Sequence, residues 1–295
     1  MLSSARRTWR FMRCAQTAQS RQRHPIKTSC LASATVLSAA ALSACSTLPN
    51  GERWGQDVNV PSWQRVGGAA WQAVRNPAFW APLAAAGVVQ IDNWDHRVSR
   101  WARTQTPVFG SQTNAATWST NLRSASVAAG WASILLAPSG PLDEDWLLDK
   151  LKGSAVDIAA AESAIEFTSG LQRVAKRGRP IGYIYPGDTS MPSDHTATAA
   201  VYDAIAAQNV RLSGVGPGLQ TAANVGLGAL TVATGWARIE ASAHFPSDTL
   251  VGGAIGDFFA NFFTKAFMTP SGPGGGRVAA ASLPGGGELW VQFRF

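Results

Sequence analysis

The chain has 295 residues, enough for one large domain or two modest ones. Its formal charge of +7 suggests an anionic partner, but Arg6, Arg7, Arg10, Arg13, Arg21, Arg23 and Lys27 all precede residue 45, in a stretch without Asp or Glu. The 18 Lys and Arg that remain equal the 18 Asp and Glu, so the basic balance belongs to the leader and gives no nucleic-acid-binding surface.

Taken in chain order, residues 1–44 read as an export signal: a basic run to Lys27, then the weakly apolar stretch Cys30 to Leu42. The stretch ends in Leu42-Ser43-Ala44-Cys45, which resembles the lipobox of bacterial lipoproteins. That resemblance implies cleavage before Cys45 and acylation of its sulfur. Ser46 at the next position then favours the outer membrane, with the protein facing the periplasm. Of Cys14, Cys30 and Cys45 only the last survives such processing, so no disulfide within the chain is expected. Acyl chains anchor a protein without a spanning helix.

Residues 45–60 read as a tether, and 61–268 as an all-α helical bundle. Apolar residues at three- and four-residue spacing predict helices near 62–76, 79–90, 93–104, 113–136, 143–176, 194–209, 218–236 and 247–267. Breaks fall at the Gly- or Pro-rich segments 137–141, 178–188 and 213–218. A membrane span needs about 20 mostly apolar residues, and Thr221 to Ala237 is short of that and carries Asn224, Thr231 and Thr234. The tryptophans Trp63, Trp71, Trp80, Trp94 and Trp101 are expected to serve packing, with a membrane interface as the other reading. Residues 269–295 read as a Gly/Pro-rich linker and a strand-like tail, in which Leu289, Val291, Phe293 and Phe295 alternate onto one face. A single docked strand is expected there.

The chemistry concentrates in Ala237 to Asp248, which sets Arg238, His244 and Asp248 among small and apolar residues. Arg forks onto phosphate oxygens. A neutral His attacks phosphorus, and a carboxylate holds the imidazole in the attacking tautomer. His244 lies just before Pro246, which is placed to open the last helix; the positive end of that helix disfavours imidazolium. Asp248, four residues on, is the expected acceptor of the ring N–H. A second cluster, Pro192-Ser-Asp-His195, opens another helix. Ser193 and the backbone N–H groups of Asp194 and His195 make an anion site there, and His195 is the natural general acid. Arg179 joins Arg238 in gripping the equatorial oxygens. No metal or cofactor is called for: beyond the leader there remain only His96, His195 and His244, and no free Cys. His96 receives no role.

Together Arg179-Pro180, Pro192 to His195 and Arg238 to Asp248 resemble the tripartite signature of the type 2 phosphatidic acid phosphatase superfamily. That superfamily includes lipid phosphatases, class A acid phosphatases and vanadium haloperoxidases. Its blocks run Lys-x6-Arg-Pro, Pro-Ser-Gly-His and Ser-Arg-x5-His-x3-Asp, and the resemblance covers about residues 80–268. It implies a helical fold with the active site at helix N-termini and loops. It also implies a phosphatase acting on a phosphorylated small molecule or lipid through a phosphohistidine on His244, with no metal. Three positions depart from the pattern. The signature lysine is Gln172, the glycine is Asp194, and the serine before Arg238 is Ala237. Gln172 can still bond a phosphate oxygen but without charge, and Lys176 or Arg177 are candidate stand-ins. The alternatives are a vanadate-dependent haloperoxidase, against which the missing charge argues, and a non-catalytic envelope scaffold.

Overall fold

The computed structural model describes residues 46–182 and 189–268, together with the backbone of two strands at 276–283 and 286–293. The leader, Cys45, residues 269–275 and the terminal Phe295 lie outside the described residues. Eight α-helices make up the described bundle: α1 Trp63–Val74, α2 Pro77–Val88, α3 Trp94–Gln105, α4 Gln112–Leu136, α5 Glu144–Ala175, α6 Asp194–Leu212, α7 Pro217–Glu240 and α8 Pro246–Phe267. All eight fall where the periodicity predicts them.

The starts have local causes. Ser62, Asn76, Ser111, Asp143 and Ser193 each accept a backbone N–H of the first turn they precede. Pro77, Pro217 and Pro246 occupy first-turn positions, where no N–H is needed. Helix α7 runs further than expected, to Glu240. Its extra turn buries Ala237, Ile239 and Glu240. Glu240 accepts the N–H groups of Val108 and Phe109 at 3.0 and 3.1 Å and that of the Trp236 indole at 2.6 Å. Arg238 therefore sits on a helix rather than in a loop.

Helix α6 is the axis of the bundle, buried along most of its length and packed against α4, α5, α7 and α8. The core joins Ile134, Ala160, Ala164, Val201, Ile205 and Ile255 to Trp54. That tryptophan revises the expected tether. Trp54 is 1% exposed, its backbone N–H donates to Pro138 O, and its indole donates to Asn209 Oδ1 at 3.0 Å. A β-carbon on Gly153 would lie 2.4 Å from its ring, so the glycine of α5 makes room for it.

The tryptophans of α1 to α3 do not pack inward: Trp63 is 89% exposed, and Trp71, Trp80, Trp94 and Trp101 are also exposed. Short alanine-rich helices bury their small residues, Ala69, Ala73, Ala86 and Ala102, and turn the large rings out. No helix among the described residues is long and apolar enough to cross a membrane. The C-terminal region also differs from a lone strand. Within the expected linker, β2 (Gly276–Leu283) pairs antiparallel with β3 (Gly286–Phe293) and with the two-residue β1 (Asn59–Val60). Backbone groups of one strand need partners, and the hairpin supplies them.

Candidate active site

Two helix starts are pinned together to make the site. Ser193 N–H, just before α6, donates to Asp248 O in the first turn of α8 at 2.9 Å. Close approach of these helices depends on glycine: a β-carbon at Gly252 would fall 2.5 Å from Ser193 O, and one at Gly256 2.5 Å from Ala197 O. A third segment joins them where Lys176, at φ 47°, ends α5. There Ser190 N–H donates to Arg177 O at 2.8 Å and Ser190 Oγ to Gly178 O at 3.1 Å.

His244 is buried where these segments meet. Its Nδ1 lies 2.6 Å from Ser190 O. A carbonyl only accepts, so Nδ1 carries the proton and Nε2 keeps its lone pair. Nε2 faces the Arg238 guanidinium at 3.5 Å. Burial first, then Arg238 and Arg179, hold the imidazole well below its ordinary pKa, so it is neutral. Arg238 also fixes the backbone of the turn, its carbonyl accepting from Ala243 and His244 N–H at 3.1 and 3.3 Å. Arg179 Nη1 donates to Ala243 O at 3.2 Å.

The expected bond from His244 to Asp248 is replaced. Nδ1 and Asp248 Oδ2 are 3.9 Å apart, too far for a hydrogen bond. Oδ2 instead takes the N–H of Phe245 at 2.7 Å, and Oδ1 takes Arg177 at 2.7 Å. Arg177 reaches on to Asp95 Oδ2 at 2.6 Å, and Asp95 also accepts from Ser247 N–H and Oγ at 2.8 and 2.7 Å. The Arg177 guanidinium lies 4.1 Å over the Phe245 ring, which meets the His96 ring at a tilt with centroids 4.6 Å apart. Arg177 is thus committed to scaffolding and is no stand-in for the signature lysine. Gln172 is engaged as well, donating from Nε2 to Pro192 O at 2.7 Å and so holding the loop before α6.

His195 stands in the first turn of α6, partly buried. Burial, followed by Arg238, Arg123 and Arg179, pushes its pKa down to about 3. Ser193 caps the helix and is fully buried; its Oγ accepts from Thr196 N–H and Oγ1 at 3.4 and 3.0 Å. Asp194 points to Arg123, whose Nη1 lies 3.9 Å from Oδ2. Burial raises the Asp194 pKa while Arg123 and Arg238 oppose it.

The structure therefore gathers Arg179, His195, Arg238 and His244 around one point, with Ser193, Gln172 and Asp248 behind them. Sequence reasoning missed Asp95, Arg123 and Ser190. Asp95 and Arg123 sit on helices without a chemical motif around them, and Ser190 acts through a backbone carbonyl, which no side chain announces. No three His, Cys, Asp or Glu side chains come together among the described residues as a metal-holding group.

A family model described as the PAP2 superfamily matches residues 157–270, the stretch that carries all three blocks. The chain is similar to the PAP2 superfamily over that stretch. That match supports a phosphatase. Among solved structures, the chain is similar to a transmembrane PAP2 type phosphatidylglycerolphosphate phosphatase from Bacillus subtilis, at 18% identity and a TM-score of 0.46 over 63% of this chain and 92% of that one. No curated protein gave a significant match.

Proposed function

We propose that this chain hydrolyses phosphomonoesters or diphosphates, lipid phosphates foremost, without a metal and through a phosphohistidine on His244. The observation that carries this reading is the tautomer: Ser190 O takes the Nδ1 proton and leaves the Nε2 lone pair beside Arg238. Nε2 attacks phosphorus, the P–O bond to the leaving group breaks, and His195 gives that oxygen a proton. Water then attacks phosphorus, its proton passes to His195, the N–P bond breaks and phosphate leaves. Arg179 and Arg238 offset the charge on the equatorial oxygens.

His195 is neutral in the free site because burial and the arginines around it disfavour its cation. A phosphate dianion seated among those arginines reverses the field. His195 then gains its proton as the substrate binds, either from the monoanion or from solvent.

The test is His244→Ala, with p-nitrophenyl phosphate and a lipid phosphate as substrates. Loss of the chemical step costs at least about a thousandfold in kcat, and brief reaction with labelled substrate leaves acid-labile phosphate on the parent alone. A variant as active as the parent sinks the reading. Inhibition by vanadate, with no bromide oxidation by peroxide, separates it from haloperoxidase chemistry. We further propose anchoring through Cys45 on the periplasmic side of the outer membrane, which rests on the Leu42 to Ser46 sequence. Palmitate labelling that persists in Cys45→Ala rejects it.

A further inference from the structure

The signature lysine is absent: Gln172 in its place holds Pro192 O, and Arg177 is engaged by Asp95 and Asp248. With Asp194 added, Arg179 and Arg238 bring two positive charges against the three negative charges of a phosphate dianion and one carboxylate, which leaves one negative charge unbalanced. Helix α4 brings a third cation to this place. Ser119 and Arg123 are one turn apart on that helix and share a face. Ser119 Oγ accepts from Arg238 Nη1 at 3.4 Å, which fixes this face of α4 against the phosphate-gripping arginine. One turn on, Arg123 Nη1 lies 3.9 Å from Asp194 Oδ2, at the N-terminus of α6 and one residue from His195. The two side chains remain 32% and 35% exposed, so the pair is open to an incoming anion.

We propose that Arg123 is the third phosphate-binding cation of this site, parked on Asp194 when the site is empty and shared with the phosphate when it is filled. The inference rests on the phosphatase reading above. At 3.9 Å the pair is loose, and partly exposed pairs of this kind are worth little. A phosphate dianion offers the guanidinium more charge and a bidentate edge. Asp194 then has a purpose at an anion site: it aims the arginine that replaces the lysine. Arg123 also acts on the acid, lowering the His195 pKa alongside Arg238 and Arg179.

The rival account is that Arg123 only neutralises Asp194, and a double-mutant cycle separates the two. Arg123→Gln is expected to lower kcat/KM for p-nitrophenyl phosphate by about ten- to a hundredfold, the effect of one or two charge-assisted hydrogen bonds. The inhibition constant of inorganic phosphate should rise with it, and Arg123→Lys should recover part of the loss. The loss persists when Asp194→Asn is the background, because the phosphate, not Asp194, is the partner that matters. Gln172→Lys raises the activity of Arg123→Gln more than that of the parent. If Arg123→Gln on the Asp194→Asn background matches Asp194→Asn alone, Arg123 merely neutralises and the proposal is overturned. Unchanged kinetics in Arg123→Gln overturn it too. A parent that neither hydrolyses phosphoesters nor binds phosphate overturns the phosphatase reading itself, and this one with it. Melting curves of the single variants should match the parent's; a folding loss shared by Arg123→Lys and Arg123→Gln, without recovery of activity in the lysine variant, assigns Arg123 to structure instead.

Discussion

His244 is held by three neighbours that differ in kind: a carbonyl on its Nδ1, a guanidinium by its Nε2, and a carboxylate 3.9 Å away. The carboxylate, Asp248, works on the backbone instead, gripping Phe245 N–H and passing the load through Arg177 to Asp95. Asp95 is fully buried, and its hydrogen bonds from Ser247 and Arg177 outweigh the effect of burial, holding its pKa below the ordinary carboxylate value. It therefore stays charged and ties α3 to the start of α8. Removing one partner of a buried pair leaves the other uncompensated and costs about 3 to 5 kcal/mol. Because the Arg177 side chain is 23% exposed, Asp95→Ala should fall at the lower end, about 3 kcal/mol, in urea unfolding. Asp95→Asn keeps an acceptor for Ser247 N–H and should lose less. In both, kcat falls while the inhibition constant of inorganic phosphate holds, since Asp95 positions the nucleophile without touching substrate. An alanine variant as stable as the parent would remove Asp95 from this role.

At the scale of elements, the sequence is most legible where one local rule decides. Eight helices follow from the apolar spacing, and their starts from side chains such as Ser111 and Asp143 that cap them whatever else surrounds them. It is least legible where a distant partner decides. Trp54 looks like part of a polar tether until Gly153 and Asn209, about a hundred residues or more away in sequence, form its pocket. The last turn of α7 has no periodic signal of its own and is retained because Glu240 caps the loop at Val108 and Phe109. Strand β2 is too rich in Gly and Ala to declare itself, and exists through its pairing with β3. The site divides in the same way. The ordered blocks around Arg179, His195, Arg238 and His244 carry their chemistry in side-chain type and spacing. Ser190, Asp95 and Arg123 carry theirs only in position. Glycines 252 and 256 belong to this second class as well: they read as ordinary small helical residues, yet they let α8 touch α6 closely enough to bring His244 to His195.

Across the whole molecule, the bundle buries more carboxyl groups than the site uses. Asp203 accepts from Ser126 Oγ and Thr231 Oγ1 at 3.0 and 2.6 Å, and Asp157 from Asn209 Nδ2 at 3.1 Å. Asp203 and Asp257 line one cavity of about 420 Å³ between α2, α6, α7 and α8. Burial without a cation in contact disfavours the charged form, raising Asp157 from 3.8 to about 7 and Asp203 and Asp257 to about 6. Between about pH 4 and 7 the folded chain thus holds protons that the unfolded chain has released. A raised carboxyl pKa stabilises fully below the unfolded value, and that stability is lost as pH rises through the folded one. His195 and His244 act in the opposite sense: their depressed pKa values favour the fold above about 6.5 and against it as pH falls. A pH scan of the parent mixes the two, so the carboxyl part has to be isolated by substitution. Asp203→Asn keeps the acceptor for Ser126 and Thr231 and removes the charge. At pH 8, where the parent must ionise a buried group, the variant should gain about 1 to 3 kcal/mol. At pH 5, where Asp203 is mainly protonated in the fold but ionised in the unfolded chain, the gain should shrink to about half of that. The histidine contributions are common to both proteins and cancel in the difference. Paired urea unfolding curves at the two pH values give that difference directly. The same gain at pH 5 as at pH 8 would mean that Asp203 is ionised throughout, and that the cavity solvates its charge.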